Sequence, residues 1–296
     1  EYFRIGYIAT QAILSRVYLY MENWDKALAY ADSVLQVKSA LLDLNQFGIR
    51  DPYDNVFESV YSPVSSDEII WARMYSGTSV GSILGSQYKY PFALSQEFIE
   101  VLGASYDACL DETLKDLRGV LFVSWGYDSK NYETPCYPHA AVKDRDFGMY
   151  QGIRTAELYL NRAEACMELN RHLDVALKDI NEIRGRAGIK LLTAGNLTLD
   201  KVRHERKVEL AFEKHRYWDL KRWRLAHLDV SKGGLTNFRG TALCPYYNVK
   251  SGKYTFETGV PEKRKRLFLE KNYYTVFRAE DLSTNPLMVQ NPGYGN

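Results

Sequence analysis

Glu205, Glu209 and Glu213 stand four residues apart and so fall on one face of a helix. Paired carboxylates are the machinery of glycoside hydrolysis, in which one protonates the leaving oxygen and the other acts as base or nucleophile. Those two acids must face each other across a sugar, usually from different elements, and a ladder on one helix does not provide this. With Arg206 beside it and Arg216, Asp219 and Arg222 following, the ladder reads as an ion-pair network that orients its helix against its neighbours. His204-Glu205 opens like a zinc helix, but that motif needs a second histidine where Val208 stands. The histidines are scattered and form no triad, and His215 reads as a partly buried structural residue. Cys109, Cys136, Cys166 and Cys244 lack the close pairs of a zinc site. Their even number permits more than one disulfide pairing, and Cys166, inside a helical pattern, reads as a small buried apolar residue. Gly77, Gly81 and Gly85 recur without the Gly-Lys-Ser/Thr of a phosphate loop and read as a flexible loop. Lys263-Arg264-Lys265-Arg266 reads as a solvated basic face. No catalytic residue, metal or cofactor is expected.

The aromatic residues point elsewhere. The chain holds 23 tyrosines and five tryptophans, many of them in loop-like sequence. Their flat apolar faces and polar handles suit the C–H faces and hydroxyl rims of sugars, although single tyrosines commonly pack at core margins. Trp125, Tyr127, Asp128, Asn131 and Tyr132 place aromatic rings beside groups able to read hydroxyls, and form the first candidate ligand loop. Tyr75, Tyr88 and Tyr90 form a second, and Tyr246, Tyr247 and Asn248 a third. Trp71, after Ile69-Ile70, reads as core.

Helices must position these loops. Over residues 4–21 the apolar positions Ile5, Ile8, Ala12 and Tyr18, broadened by Leu14 and Val17, predict an amphipathic helix. After a polar break at 22–25, Asp25 is a candidate cap for a second helix over 26–37. Leu14, Ser15, Tyr18, Ala27, Ala31 and Val34 fall where a tetratricopeptide-like hairpin wants its large, small and aromatic residues, the small ones allowing close helix approach. A second hairpin is predicted over 155–186. Its first helix carries Leu158, Leu160, Ala163, Ala165 and Met167, its second carries Ala176, Leu177, Ile180 and Ile183, and Gly188 is its C-terminal cap. A further helix, capped by Thr198 or Asp200, is expected to run past Phe212, with another over 217–228. Residues 40–150 show few helical signals beyond 95–103 and 111–117, with strand candidates at 68–72 and 119–123. The fold class is mainly α: stacked helix pairs with long irregular loops. The expected layout is a single domain over 1–296: a first hairpin (1–38), a loop-rich insertion (39–150), further helix pairs (151–228) and a loop-rich end (229–296).

The net charge of +1 argues against a general nucleic-acid binder, and no apolar run is long enough to span a membrane.

Several segments resemble the SusD/RagB family of outer-membrane lipoproteins. They are Arg154-Thr155-Ala156-Glu157-Leu158-Tyr159-Leu160-Asn161-Arg162-Ala163-Glu164-Ala165 through Asn181-Glu182-Ile183-Arg184-Gly185-Arg186-Ala187-Gly188; Glu205 through Glu213 with Arg216-Tyr217-Trp218-Asp219-Leu220-Lys221-Arg222-Trp223; and the closing Asn285-Pro286-Leu287 with Gln290-Asn291-Pro292-Gly293-Tyr294. The resemblance covers essentially the whole chain but only the C-terminal part of the family pattern, so an N-terminally incomplete chain is expected. It departs at Val276-Phe277-Arg278-Ala279, where members often carry a Pro-Ile-Pro-type segment. The resemblance implies a SusD-like α-α superhelix and non-catalytic glycan binding at the surface of Bacteroidota. It also implies a lipid anchor in the outer membrane and delivery of ligand to a SusC-like TonB-dependent transporter. Family ligand sites lie on variable loops, so no site residue carries over. The rival readings are a tetratricopeptide-like protein–protein interaction module, a binder of a non-carbohydrate nutrient, and a glycosidase with two opposed carboxylates.

Overall fold

The computed structural model describes residues 4–44, 67–74, 116–118, 123–128, 131–140, 149–211, 213–236, 243–248, 251, 253–258 and 267–295. It separates into two compact units, Glu1–Lys214 with Leu243–Glu257, and His215–Ala242 with Thr258–Asn296.

The first unit opens on a helical hairpin, α1 (Tyr7–Tyr20) and α2 (Trp24–Leu35). The buried face of α1 is Ala9, Ala12, Ser15 and Leu19. The expected stripe is thus displaced: Ile5 is 56% and Val17 43% exposed, while Ile8 and Tyr18 are half-buried. Close approach of α2 requires small residues at the contact, and these score weakly in an apolar pattern. Ser15 uses the proximity by donating its hydroxyl to the Ala27 carbonyl at 3.1 Å. The cap of α2 is Asn23, whose side-chain oxygen accepts from the Lys26 amide at 3.2 Å. Asp25 lies inside the first turn, where it suits the helix dipole and pairs with Arg171.

The second hairpin forms as expected, from α3 (Thr155–Glu168) and α4 (Leu173–Arg186). α3 touches α2, α4 and the next helix, α5 (Leu199–Glu209), and is buried almost all round. Gly188, at φ +72°, closes α4: its amide bonds to Gly185 and that of Ile189 to Arg184, both at 3.1 Å, the pattern that requires a left-handed residue after a helix. Thr198 caps α5 through the Lys201 amide.

Buried polar threads fix the stack. Arg162 forks onto Asp179 at 2.7 and 2.8 Å and reaches Asp32 at 2.7 Å, joining α2, α3 and α4. Asn161 donates to Ser15 at 3.3 Å and accepts from Arg206 at 2.8 Å, joining α1, α3 and α5. Around them the core packs Ala12, Ala31, Val34, Leu158, Leu160, Ala163, Ile180, Ile183 and Val202.

Cys166 is the buried residue expected. Burial pushes its thiol up to about 11, so at pH 8 it stays protonated and unreactive. Peptide mapping after native treatment with iodoacetamide at pH 8 should leave Cys166 unmodified, and denaturation should expose it to alkylation.

Two-stranded sheets decorate the helices. β1 (Ile69–Met74) pairs antiparallel with β4 (Met149–Arg154), setting Ile69 opposite Arg154 and Trp71 opposite Ile153. This bears out 68–72 as a strand and Trp71 as a residue packed on the core. β2 (Val123–Asp128) pairs with β3 (Asn131–Ala140), and β5 (Leu243–Asn248) with β6 (Lys253–Thr258). Of the strand expected at 119–123, only Val123 lies within the described residues, as the first residue of β2. The helix expected at 95–103, the basic run 263–266 and Gly77, Gly81 and Gly85 lie outside them.

In the second unit α6 (His215–Arg222) is shorter than the expected 217–228. The chain turns at Arg224, which holds a left-handed φ of +55°. At the point of departure from the family pattern, the Phe277 backbone is clasped by Gln290, whose amide accepts from its N–H and donates to its carbonyl, both at 3.0 Å. Asn291 adds a bond to the Thr275 carbonyl at 2.6 Å. α7 (Ala279–Thr284) follows this segment directly.

Candidate functional site

The first candidate loop is a β-hairpin. Trp125, Tyr127 and Asp128 lie on β2, Asn131 and Tyr132 on β3, and Asp128 stands opposite Asn131 at the turn. Trp125 is paired with Pro138 and Tyr127 with Pro135. Proline donates no backbone hydrogen bond, and the register slips on both sides of Tyr127, so the ladder is bulged where the aromatic residues sit. The third candidate segment, Tyr246, Tyr247 and Asn248, lies on β5, and β5 packs beside β3. The fold therefore brings the first and third groups of aromatic residues into one region. Asn248 itself turns its side-chain oxygen to the Ser251 amide at 3.1 Å. Tyr75, Tyr88 and Tyr90 lie outside the described residues.

The carboxylate ladder has a different fate. Glu205 and Glu209 are fully buried on α5, and guanidinium groups meet them from three other segments, residues 116–118, β4 and α4. Arg118 pairs with Glu205 at 2.7 Å and Glu209 at 3.2 Å while gripping Asp116 through its side chain. Burial alone would lower the Arg118 pKa; Glu205 and Asp116 more than offset it and hold the group well above its ordinary value. Arg184 takes the other oxygen of Glu205 at 2.7 Å. Arg186 bridges Glu68 and Glu209. Arg154, at the end of β4, forks onto Glu213 at 2.8 and 2.9 Å and meets Glu209 at 2.7 Å and Glu68. Its Nη2 also donates to the Glu209 carbonyl at 2.7 Å. That bond caps the end of α5, which stops at Glu209 although the pattern predicted continuation past Phe212.

Each of these carboxylates faces at least one guanidinium, and Glu205 and Glu209 are buried on one helix, which is the arrangement of an ion-pair network and not of two acids opposed across a sugar. It is the ion-pair network expected. The arginines that supply it were not foreseen: Arg206 bonds Asn161, and Arg222 bonds Asp219 at 2.9 Å within the second unit. Arg154, Arg184 and Arg186 bracket the second hairpin in sequence, a signal that buried acids nearby need cations.

An open cleft of about 810 Å³ runs along α4 beside Ser39, Tyr159, Asp174, Lys178 and Glu182. Tyr159 gives its hydroxyl to the Ser39 carbonyl at 2.9 Å, lies under Arg162 and is buried, so its ring is not displayed to a sugar. Among the described residues no cluster of His, Cys, Asp and Glu is arranged to hold a metal, and no helix is long and apolar enough to cross a membrane.

The family model described as SusD family matches residues 141–294. Among solved structures, the chain is similar to a SusD-like protein from Bacteroides fragilis NCTC 9343, at 20% identity and a TM-score of 0.73, over 97% of this chain and 65% of that one. It is similar to surface glycan-binding protein A from Bacteroides uniformis, at 20% identity and a TM-score of 0.63, over 97% and 61%. A SusD-like carbohydrate-binding protein from Bacteroides vulgatus ATCC 8482 matches at 20% identity and a TM-score of 0.61, over 96% and 59%. The chain thus spans 59–65% of the lengths of these three solved chains. No curated protein sequence matches it.

Proposed function

This chain belongs to the SusD family, and from that membership we propose that it binds glycans at a bacterial cell surface without chemically changing them. The observation that supports the reading is the bulged β2–β3 hairpin, whose backbone carries Trp125, Tyr127, Asp128, Asn131 and Tyr132 within one short stretch. Rings on a fixed backbone stack on sugar faces, and neighbouring amide and carboxylate groups distinguish hydroxyl patterns. Affinity then comes from apolar burial and a few hydrogen bonds, with no cofactor. Tyr75, Tyr88 and Tyr90 are proposed as a separate ligand-binding segment.

It is a binding protein and not an enzyme. The carboxylates of α5 are engaged by Arg118, Arg154, Arg184 and Arg186. The proposed setting is the outer membrane, held by a lipid anchor, with delivery of the glycan to a SusC-like TonB-dependent transporter. The tetratricopeptide-like stack supplies a rigid body suited to docking such a partner.

Titration calorimetry of the chain with a bound glycan, compared with Trp125→Ala, tests the placement. Loss of one aromatic anchor is expected to weaken binding roughly tenfold or more. Unchanged affinity in that variant would remove the hairpin from the site.

A further inference from the structure

The second unit carries an aromatic surface outside all the predicted loops. On α6, Tyr217 and Trp218 are 43% and 51% exposed, their rings meeting edge to face at 5.2 Å. Lys221, one turn on, holds its ammonium 5.5 Å from the Tyr217 ring and 5.4 Å from the Trp218 ring. Phe268 packs edge-on against both Tyr217 and Tyr273. Arg224 lays its guanidinium over Tyr273 at 4.5 Å, reaches the Tyr274 hydroxyl at 3.5 Å and is tethered by Glu270 at 3.3 Å. Arg224 does this from the left-handed φ of +55°, a conformation that a non-glycine residue holds only at a cost.

Exposed rings in this number normally cover something or bind something. The charges select between occupants. Among the described residues Lys221 has no carboxylate partner. The nearby acids are already engaged, Asp219 by Arg222 and Glu270 by Arg224. Cations beside open ring faces match a ligand that is flat and apolar on one side and anionic at its edge.

We propose that Tyr217, Trp218 and Lys221, with Arg224 behind them, form a second carbohydrate-binding surface selective for sugars bearing a carboxylate. The pyranose face stacks on Trp218, with the Tyr217 ring standing edge-on beside it, and the carboxylate meets the Lys221 ammonium. The idea rests on the glycan reading above but not on the hairpin. Burial against the rings lowers the Lys221 pKa, and an incoming carboxylate restores the stability of its charged form.

The test uses the whole chain and four probes: oligogalacturonate, its methyl ester, oligoglucuronate and oligomannuronate. At least one acidic oligomer should bind roughly tenfold more tightly than a neutral ester, with the preference falling as salt rises. Trp218→Ala should weaken binding of that oligomer roughly tenfold. Lys221→Gln, a substitution at a half-buried surface position, should erase the preference for acid over ester, whether or not Trp218→Ala folds. Trp125→Ala should leave the preference intact. Equal binding of acid and ester by the unmodified chain, or a preference that survives Lys221→Gln or vanishes with Trp125→Ala, overturns the proposal. Neutral-glycan binding lost only in Trp125→Ala would meanwhile leave the hairpin reading standing.

Discussion

Replacing Arg154 with Met is expected to lower unfolding free energy by about 3–5 kcal/mol, the range for stripping the partner from a buried ion pair. Arg154 ties β4 to both ends of the network. It holds Glu68 on the segment leading into β1, Glu209 within α5, and Glu213 beyond it. It also satisfies the last carbonyl of α5. Met fills a similar volume without charge, so the loss reports weakened pairing of the buried carboxylates and an uncapped helix end more than a cavity. The pH dependence has a definite sign. A buried carboxylate that loses one of its cations leans further towards its protonated form, so the folded variant holds more protons than the folded unmodified chain above the ordinary glutamate pKa of about 4.3. Stability of the variant relative to the unmodified chain should therefore rise as pH falls from 8 towards 5. Urea denaturation at the two pH values measures both effects. A loss below about 1 kcal/mol, typical of an exposed pair, would mean the network does not hold β4 to α5.

Gly152→Ala is expected to cost about 3 kcal/mol, at the upper end for overpacking. A Cβ at Gly152 would sit 2.0 Å from Cε3 and 2.3 Å from Cζ3 of the Trp71 indole on the paired strand. The indole packs against the main core and cannot yield easily. The same strand position carries a second duty, since the Gly152 carbonyl accepts from Arg16 at 2.6 Å while Arg16 also forks onto Glu157 of α3. A shift of β4 to relieve the clash therefore pulls on α1 and α3 together. A double-mutant cycle with Trp71→Val isolates the cause. The cost of Gly152→Ala should shrink by more than half when the indole is gone. If it does not shrink, backbone conformation and not ring contact makes glycine necessary there.

The helical part of the fold was legible where the signals are local. Gly188 ends α4 because only a left-handed residue completes its last turn, and Thr198 opens α5 because a hydroxyl must take an orphan amide. The errors came where a distant group decides. α5 stops at Glu209 because Arg154, 55 residues away, caps its carbonyl, and no periodicity records that. α6 stops near Arg222 because the chain turns left-handed at Arg224 without a glycine. The buried face of α1 was misplaced because alanine and serine, not isoleucine and valine, make the tight contact.

The site divides in the same way. A ladder at 205, 209 and 213 announced an ion-pair network, but its partners at 68, 116, 118, 154, 184 and 186 come together only in the fold. The hairpin was in the sequence as well. Trp125 to Asp128 and Asn131 onward flank Ser129-Lys130, a short polar pair between aromatic runs, while Pro135 and Pro138 break the strand pattern of the second run. The pairing of Tyr217 and Trp218 with Lys221 was hidden inside a segment that served as a structural signature.

Affinity electrophoresis of the chain through gels containing plant, host and microbial polysaccharides, with reducing ends assayed after incubation with the same glycans, tests binding without turnover most directly. The account predicts retardation by at least one glycan and no release of reducing ends from it. Free migration in every gel, or release of reducing ends by the purified chain, would contradict it.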